Sequence, residues 1–317
     1  MSLIRNYILL LFLPLFLLNS CKPDENSITL SGAFGLYPLA IKWAEEYNKI
    51  HPEIRFDISA GGAGKGMADV LTGNVDIGML SRDLNEREED QGAFPISVAK
   101  DAVIPTFNTG NPNTSTILSH GFALEDFQNI WLSDNTYFWG EFLNTENKSP
   151  IKVYTRSDAA GAPETWAKYL GKKQEDLRGI GVFGDPGLAQ AVKNDPNAIG
   201  FNNVVYVFDM KTGKPHPGLG VIPIDLNNNG TIDEEENFYS DIAEVIKAIG
   251  NNVFPSPPGR ELYFVSKGKP QRKVIIDFLR WTLKEGQAFV NEAGYINLPK
   301  PVTEAQLGKL SSTSKGN

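Results

Sequence analysis

Apolar positions along this chain fall into short blocks whose spacing switches between a strand period and a helix period. Residues 28–30 (Ile-Thr-Leu) read as a strand that runs into Gly32 and Gly35. Over 38–50, Leu39, Trp43, Ala44 and Tyr47 recur at helical spacing, and 54–59 alternates with period two. The run GGAGKG over 61–66 leads into a helix ending near Leu71, and short strands are predicted at 75–80 and 103–107. The middle of the chain repeats this logic. A strand at 151–154 precedes helices at 163–170 and 188–193, then strands near Ile199 and over 204–208. Beyond 255–259 come a strand at 262–265 and an amphipathic helix over 272–283. Alternating strands and helices predict an α/β fold with helices on the faces of the sheet. No internal repeat or low-complexity block interrupts it, and the Pro-, Asn- and Gly-rich stretches 108–112 and 255–259 are the candidate linkers.

The first twenty residues depart from that pattern. MSLIRNYILLLFLPLFLLNS carries Arg5, an apolar run over 8–18 containing Pro14, and Ser20 just before Cys21. Such a run is too short to cross ~30 Å of hydrocarbon as a helix and fits the apolar core of a signal peptide. Leu18-Asn19-Ser20-Cys21 resembles a bacterial lipobox, whose cysteine becomes the acylated first residue. Residues 1–20 are therefore expected to be a lipoprotein signal peptide, Cys21 the lipidation site and 21–27 a polar tether. The membrane is met through a lipid anchor only.

Composition narrows the chemistry. A length of 317 residues with 41% hydrophobic and 10% aromatic content supports two sizeable cores. Lys+Arg 30 against Asp+Glu 38 leaves a net charge of -8, which argues against binding nucleic acid. With 3 His and 1 Cys there is no material for a zinc cage, a disulfide framework or a cysteine–histidine pair. No G-x-S-x-G elbow exists, and GGAGKG matches neither a Walker loop nor a dinucleotide fingerprint. No enzyme is expected. Trp131, Trp139, Trp166, Phe138 and Phe142 read as core and lobe-surface aromatics, and the acidic run 86–90 reads as a solvated helix face.

Three glycine-containing turns stand where a strand hands over to a helix, at 31–37, 61–67 and 156–162. Such junctions present backbone N–H groups at a positive dipole end, which suits an anion. The segments SGAFGLYPLAIKWAEEY, SAGGAGKGMADVLTGNVDIGMLSRDL, IKVYTRSDAAGAPETW, LYFVSKGKP and EGQAFVNEAGYINLP, in that order, resemble the phosphate ABC transporter substrate-binding proteins. The resemblance spans nearly the whole mature chain. It implies a two-lobed periplasmic-binding-protein-like (Venus-flytrap) fold, each lobe a sheet flanked by helices. Lobe 1 would comprise 28–107 plus 264–311, lobe 2 would comprise 108–263, and 312–317 would be a tail. Two crossover strands near 105–108 and 262–265 would form the hinge, with the ligand held between the lobes.

Carried over by position, the family's anion ligands become the backbone N–H groups of Leu36 and Tyr37, then Ala63, Ser81, Arg82, Arg156, Ala160, Gly161 and Ala162. Side-chain hydroxyls usual in the family are replaced here at Leu36, Ala63, Ala160 and Ala162. What remains is a backbone cradle, Ser81 and two arginines. A hydrogen bond to a charged group contributes about 1.5–3 kcal/mol, so four missing donors would weaken capture by orders of magnitude.

One further motif stands apart. Residues 225–236, DLNNNGTIDEEE, fit an EF-hand-like calcium loop. Asp225, Asn227 and Asn229 supply oxygens at positions one, three and five, Thr231 a carbonyl at seven, Asp233 position nine and Glu236 the bidentate twelfth. Gly230 permits the sharp turn, 221–224 enters as a strand and 238–248 leaves as a helix. One structural Ca²⁺ is expected.

The sequence thus reads as a monomeric, lipid-anchored solute-binding protein of the bacterial cell envelope, periplasmic or associated with the outer membrane. Its ligand would be a small oxyanion, phosphate first, delivered to an ABC permease. The alternative is a bilobed interaction or sensory lipoprotein without high-affinity phosphate binding, or one with a different anionic ligand.

Overall fold

The computed structural model describes residues 25–311. The expected signal peptide, Cys21, residues 21–24 of the tether and the 312–317 tail lie outside the described residues. Along the chain run β1 (Ser27–Gly32), α1 (Tyr37–Ile50), β2 (Arg55–Ala60), α2 (Ala63–Thr72), β3 (Ile77–Leu80) and α3 (Glu86–Asp90). The sixteen-residue β4 (Ala93–Asn108) leads to α4 (Thr114–His120), α5 (Leu124–Leu132), α6 (Trp139–Leu143), β5 (Lys152–Arg156) and α7 (Gly161–Tyr169). Next come β6 (Ile180–Val182), α8 (Gly184–Lys193), β7 (Ala198–Asn203), β8 (Leu219–Val221) and α9 (Ile242–Gly250). The chain returns through β9 (Gly259–Lys267) to α10 (Lys273–Leu283) and α11 (Lys300–Ser311).

The strands are ordered β2-β1-β3-β9-β4-β7-β5-β6, with β8 paired to β4 outside that path. β1 pairs in parallel with β2 and β3, and β5 with β6 and β7. These two parallel blocks are joined by the antiparallel pair β4–β9, which runs from Ala93↔Lys267 to Ala102↔Gly259. Beyond it, 103–107 already pair with β7.

Each block closes its own core. The first collects Ile28, Leu30, Trp43, Met79, Phe264 and Phe278, and its members end at Ala99 on the outward pass and resume at Leu262. The second starts at Ala102 and holds Phe107, Phe122, Phe127, Trp131, Trp139, Trp166 and Phe201. Here the indole rings of Trp131 and Trp166 meet edge-on at 5.3 Å, and Trp166 stacks on Phe201 at 5.8 Å. The aromatics around Trp166 are therefore packed core and not an exposed stacking platform, whereas Phe138 is partly exposed. Two lobes, each a sheet flanked by helices, follow from this division.

Local chemistry accounts for the helix starts. Pro38 lies in the first turn of α1, where a backbone N–H would have no helical partner. Gly66 lies inside α2 against propensity, because a Cβ there would stand 2.6 Å from the Gly32 Cα and the Ser31 carbonyl. α2 thereby presses onto β1 and β3, fixing its N-terminus at the edge of the cleft.

Several expectations are corrected. Residues 204–208 are not a strand. Val204–Tyr206 form a 3₁₀ turn, with Val204, Val207 and Phe208 buried at helical rather than alternating spacing. The strand predicted at 103–107 is only the end of β4, whose earlier part carries Pro95, Lys100 and Asp101 and so hides its apolar face. The helix after the 225–236 loop begins at Ile242 and not at 238.

Candidate functional site

The three glycine-containing turns meet in the cleft between the lobes. The first follows β1. Leu36 is buried, and the N–H groups of Leu36 and Tyr37 donate within the turn, to Ala33 at 3.2 and 3.1 Å. The second opens α2, where Gly61 and Gly62 donate to the Gly32 carbonyl and Ala63 is buried. The third follows β5 in the other lobe and carries Ala160, Gly161 and Ala162 into α7.

Lobe-to-lobe approach is close enough to exclude side chains. Gly64 donates to the Ala159 carbonyl at 3.3 Å. A Cβ on Gly161 would fall 2.2 Å from the Ser81 Oγ, so Ser81 is covered by the start of α7. The structure therefore brings the turns of the two lobes together, with Gly64 against Ala159 and Ser81 against Gly161. It also shows which groups they already hold.

Arg156 is buried to its guanidinium. Its Nε and Nη2 donate to the two oxygens of Asp158 at 2.8 and 2.5 Å, and its Nη1 to Asp185 at 2.5 Å. The ring of Phe34, from the first turn, lies 5.5 Å above the guanidinium carbon and meets Phe183 of lobe 2 edge-on. Burial works to raise the Asp158 carboxyl, but the bonds and charge of Arg156 carry it below its ordinary value. Arg82 is paired as fully. It donates to both oxygens of Glu88 at 2.8 and 2.6 Å and meets Glu164 of lobe 2 at 3.1 Å. Nearby, Lys168 of lobe 2 donates to Asp83 at 3.0 Å. Arg82, Asp83, Glu164, Lys168, Arg260 and Tyr263 lie around a polar interlobe cavity of ≈ 360 Å³.

Sequence reasoning missed the carboxylates that hold these arginines. Asp158 was discoverable as the residue two positions after Arg156 on the same turn. Glu88 lay hidden in an acidic run, since a solvated face and a single inward carboxylate look alike in sequence. Asp185, Asn203 and Arg260 are far from the turns along the chain and gave no signal. Lys65, which followed the second turn, reaches Asp69 and Ser31 of its own lobe.

The 225–236 loop lies in lobe 2 away from the cleft. Asp225 and Glu236 are buried, and Gly230 takes the left-handed φ of 82° that the turn requires. Leu226 and Asn227 donate to the Glu236 Oε1, drawing that carboxylate across the ring, and Gly230 donates to Asp225 at 2.7 Å. Asn227 and Asn229 both donate to Asp233, while Thr231 donates to Asn229. The loop is tied to its surroundings by Ile232, which donates to the Ser119 carbonyl at 2.9 Å and packs on Gly121. Among the described residues no group of three or more His, Cys, Asp or Glu is gathered tightly enough to hold a metal ion.

Comparison with known proteins adds the following. Residues 21–285 match the family model described as PBP superfamily domain. Phosphate-binding protein PstS of Methanocaldococcus jannaschii is 26% identical, over 92% of this chain and 88% of the relative. A crystal structure of a putative phosphate ABC transporter substrate-binding protein with bound phosphate, from Clostridium perfringens, superposes with a TM-score of 0.70. It is 22% identical, with 86% of this chain and 100% of that one covered. An ABC-type phosphate transport receptor from Vibrio cholerae gives a TM-score of 0.60 at 20% identity, over 86% of this chain and 100% of that one.

The Arg82–Glu88 pair gives the lobe a definite acid response. Burial acts to raise the Glu88 carboxyl, but the bonds from Arg82 and from the Asn85 N–H outweigh it and hold it below its ordinary value. A carboxyl held low in the fold stabilises it above the unfolded value of about 4.3 and loses that contribution as pH falls through the lowered one. Glu88→Gln should therefore melt lower than the parent at about pH 6 and lose less on descending to about pH 3. Parallel melting-temperature profiles for the two proteins would remove Glu88 from the acid response.

Proposed function

This chain belongs to the PBP superfamily and is a solute-binding protein for transport and not an enzyme, and from that premise we propose that it captures inorganic phosphate for an ABC permease. The observation that carries the reading is the convergence of three strand-to-helix turns, from both lobes, around the buried Arg156. Capture is a closure. The anion exchanges its hydration shell for backbone N–H groups at the starts of α2 and α7 and for the Ser81 hydroxyl, and the Leu36 and Tyr37 N–H groups would have to leave Ala33 to join them. Closing brings Phe34 over the Arg156 guanidinium and joins Arg82 to Glu164, so water leaves as the lobes meet. No bond is made or broken in the ligand.

Charge makes this site demanding. One guanidinium stands between Asp158 and Asp185, and another between Glu88 and Glu164, so the arginines bring no surplus positive charge to the cleft. Together with Leu36, Ala63, Ala160 and Ala162 in place of hydroxyl donors, this favours a second reading, a bilobed lipoprotein with weak phosphate binding or another anion. Titration calorimetry on the chain carrying Cys21→Ser separates the two. Saturable phosphate binding that Arg156→Ala abolishes supports capture through the backbone cradle, and no heat from a folded protein supports the second reading.

Lipidation at Cys21 would place the lobes at the cell envelope, at the end of a short tether. The support is the Leu-Asn-Ser-Cys sequence after an apolar run, with no other cysteine in the chain. Cys21→Ser should move the protein from the detergent-extracted membrane fraction to the soluble fraction. Retention in the membrane fraction would dismiss the acyl anchor.

We also propose that the 225–236 loop binds one Ca²⁺. Only three of its six ligand positions are acidic, the others being two asparagine oxygens and the Thr231 carbonyl, a set suited to a hard cation in an extracellular setting. The Glu236 carboxylate already lies across the ring and both end residues are buried. Because Ile232 ties the loop to the Ser119–Gly121 turn, the ion would brace lobe 2. Millimolar Ca²⁺ should raise the melting temperature over that in chelator, and Glu236→Gln should cancel the difference. Identical melts with and without Ca²⁺ would dismiss the site.

A further inference from the structure

Arg260 is a cleft-side cation that belongs to neither lobe's ligand turns. It stands on β9 directly opposite Asp101 on β4, at the point where the two cores divide. Its Nε and Nη2 donate to the two Asp101 oxygens at 2.7 and 3.0 Å. From there it reaches into lobe 2, donating through Nη1 to the Thr165 hydroxyl of α7 at 3.1 Å and through Nη2 to the side-chain Oδ1 of Asn203.

Asn203 continues the chain. Its amide Nδ2 donates to the Asp185 Oδ1 at 2.6 Å, and its backbone N–H to the same oxygen at 3.3 Å. The other Asp185 oxygen is the one that holds Arg156. A buried line of charge-assisted bonds therefore runs from the hinge strands to the ligand-facing guanidinium. Asn203 is the only neutral member between Arg260 and Asp185, and its amide is oriented at both ends by charge.

Lobe 1 rests on the same two side chains. A Cβ on Gly35 would come within 3.0 Å of the Asn203 amide and 3.1 Å of the Arg260 guanidinium, so the first turn lies flat on them. That turn is held in place by two tyrosine hydroxyls, Tyr206 donating to the Phe34 carbonyl at 2.9 Å and Tyr295 to the Gly35 carbonyl at 2.8 Å.

We propose that Arg260 and Asn203 are positioning residues for ligand capture: they form the seat on which the first turn of lobe 1 closes, and through Asp185 they align Arg156 with that closure. The proposal rests on the capture reading above. Physically, the Asp101–Arg260 bond travels with the hinge, whereas contact between Gly35 and the pair exists only when the lobes are together. Closing therefore covers the Asn203–Arg260 bond, and a bond shielded from water holds its geometry more firmly than one exposed to it. Arg156, which Asp158 and Asp185 already hold within lobe 2, is then held most firmly in the state that would enclose a ligand.

Two substitutions in the Cys21→Ser chain test this. Asn203→Asp keeps an acceptor for Arg260 but sets a carboxylate against Asp185, breaking the line at its centre. Arg260→Lys keeps the Asp101 ion pair but lacks the planar fork that reaches Thr165 and Asn203 together. Each variant is compared with the parent by phosphate calorimetry and by the ligand-free interlobe distance, read from a fluorophore pair with one label on each lobe. Both variants should show a longer mean distance without ligand and phosphate affinity reduced by about tenfold or more. An unchanged distance overturns the seat, and a longer distance with unchanged affinity overturns the link to Arg156. Should the parent itself ignore phosphate, the capture reading fails separately, and the ligand-free distance alone then upholds or overturns the seat.

Discussion

Everything in this fold hangs from the antiparallel pairing of β4 with β9. Nine residue pairs between Ala93↔Lys267 and Ala102↔Gly259 tie two otherwise separate parallel blocks into one sheet path. The two hydrophobic cores divide near one end of that ladder, where Asp101 and Arg260 stand opposite each other in place of apolar side chains. Two cores that divide at one strand pair can turn against each other about it. Burial leaves the Asp101 carboxyl above its ordinary value even with Arg260 drawing it down, so the charged form depends on that pair.

The cleft repeats this rule for every arginine near it. Arg156, Arg82 and Arg260 are each met by at least one carboxylate, because an unpaired guanidinium at these depths would lose far more hydration than backbone dipoles return. The cost to function is that an incoming anion finds the arginines engaged. With Leu36 and Tyr37 donating to Ala33 as well, the proposed capture would fall to the N–H groups at the starts of α2 and α7 and to the shape left by Leu36, Ala63, Ala160 and Ala162. Partial pairing across the lobes, as in Arg82 with Glu164 and Lys168 with Asp83, lets the same charges hold the cleft together.

Lobe 2 is reinforced differently. Its centre is an aromatic stack running from Phe127 through Trp131 and Trp166 to Phe201, and its margin carries the 225–236 loop pinned by Ile232 to the Ser119–Gly121 turn. The stack holds the start of α7 rigid, since Trp166 belongs to that helix. The third turn therefore leads into a helix anchored in this aromatic cluster, while the first is held by two tyrosine hydroxyls.

What the sequence determined on its own was whatever depends on neighbours in the chain. The period switch at 38–50 and 54–59 marked α1 and β2, the turns 31–37, 61–67 and 156–162 marked the cleft loops, and the 225–236 spacing marked an oxygen-rich loop. Local periodicity failed where a partner element set the outcome. Residues 93–102 became strand because β9 pairs with them and sets Arg260 against Asp101, and 204–208 lost its strand because Val204–Tyr206 turn as a 3₁₀ helix, leaving only the Phe208↔Pro215 bridge. The pairing of Arg156 with Asp185, and of Arg82 with Glu88 and Glu164, was decided by tertiary structure alone. A buried charge must find its counter-charge wherever the fold delivers one, and nothing in the spacing of residues along a chain records that meeting.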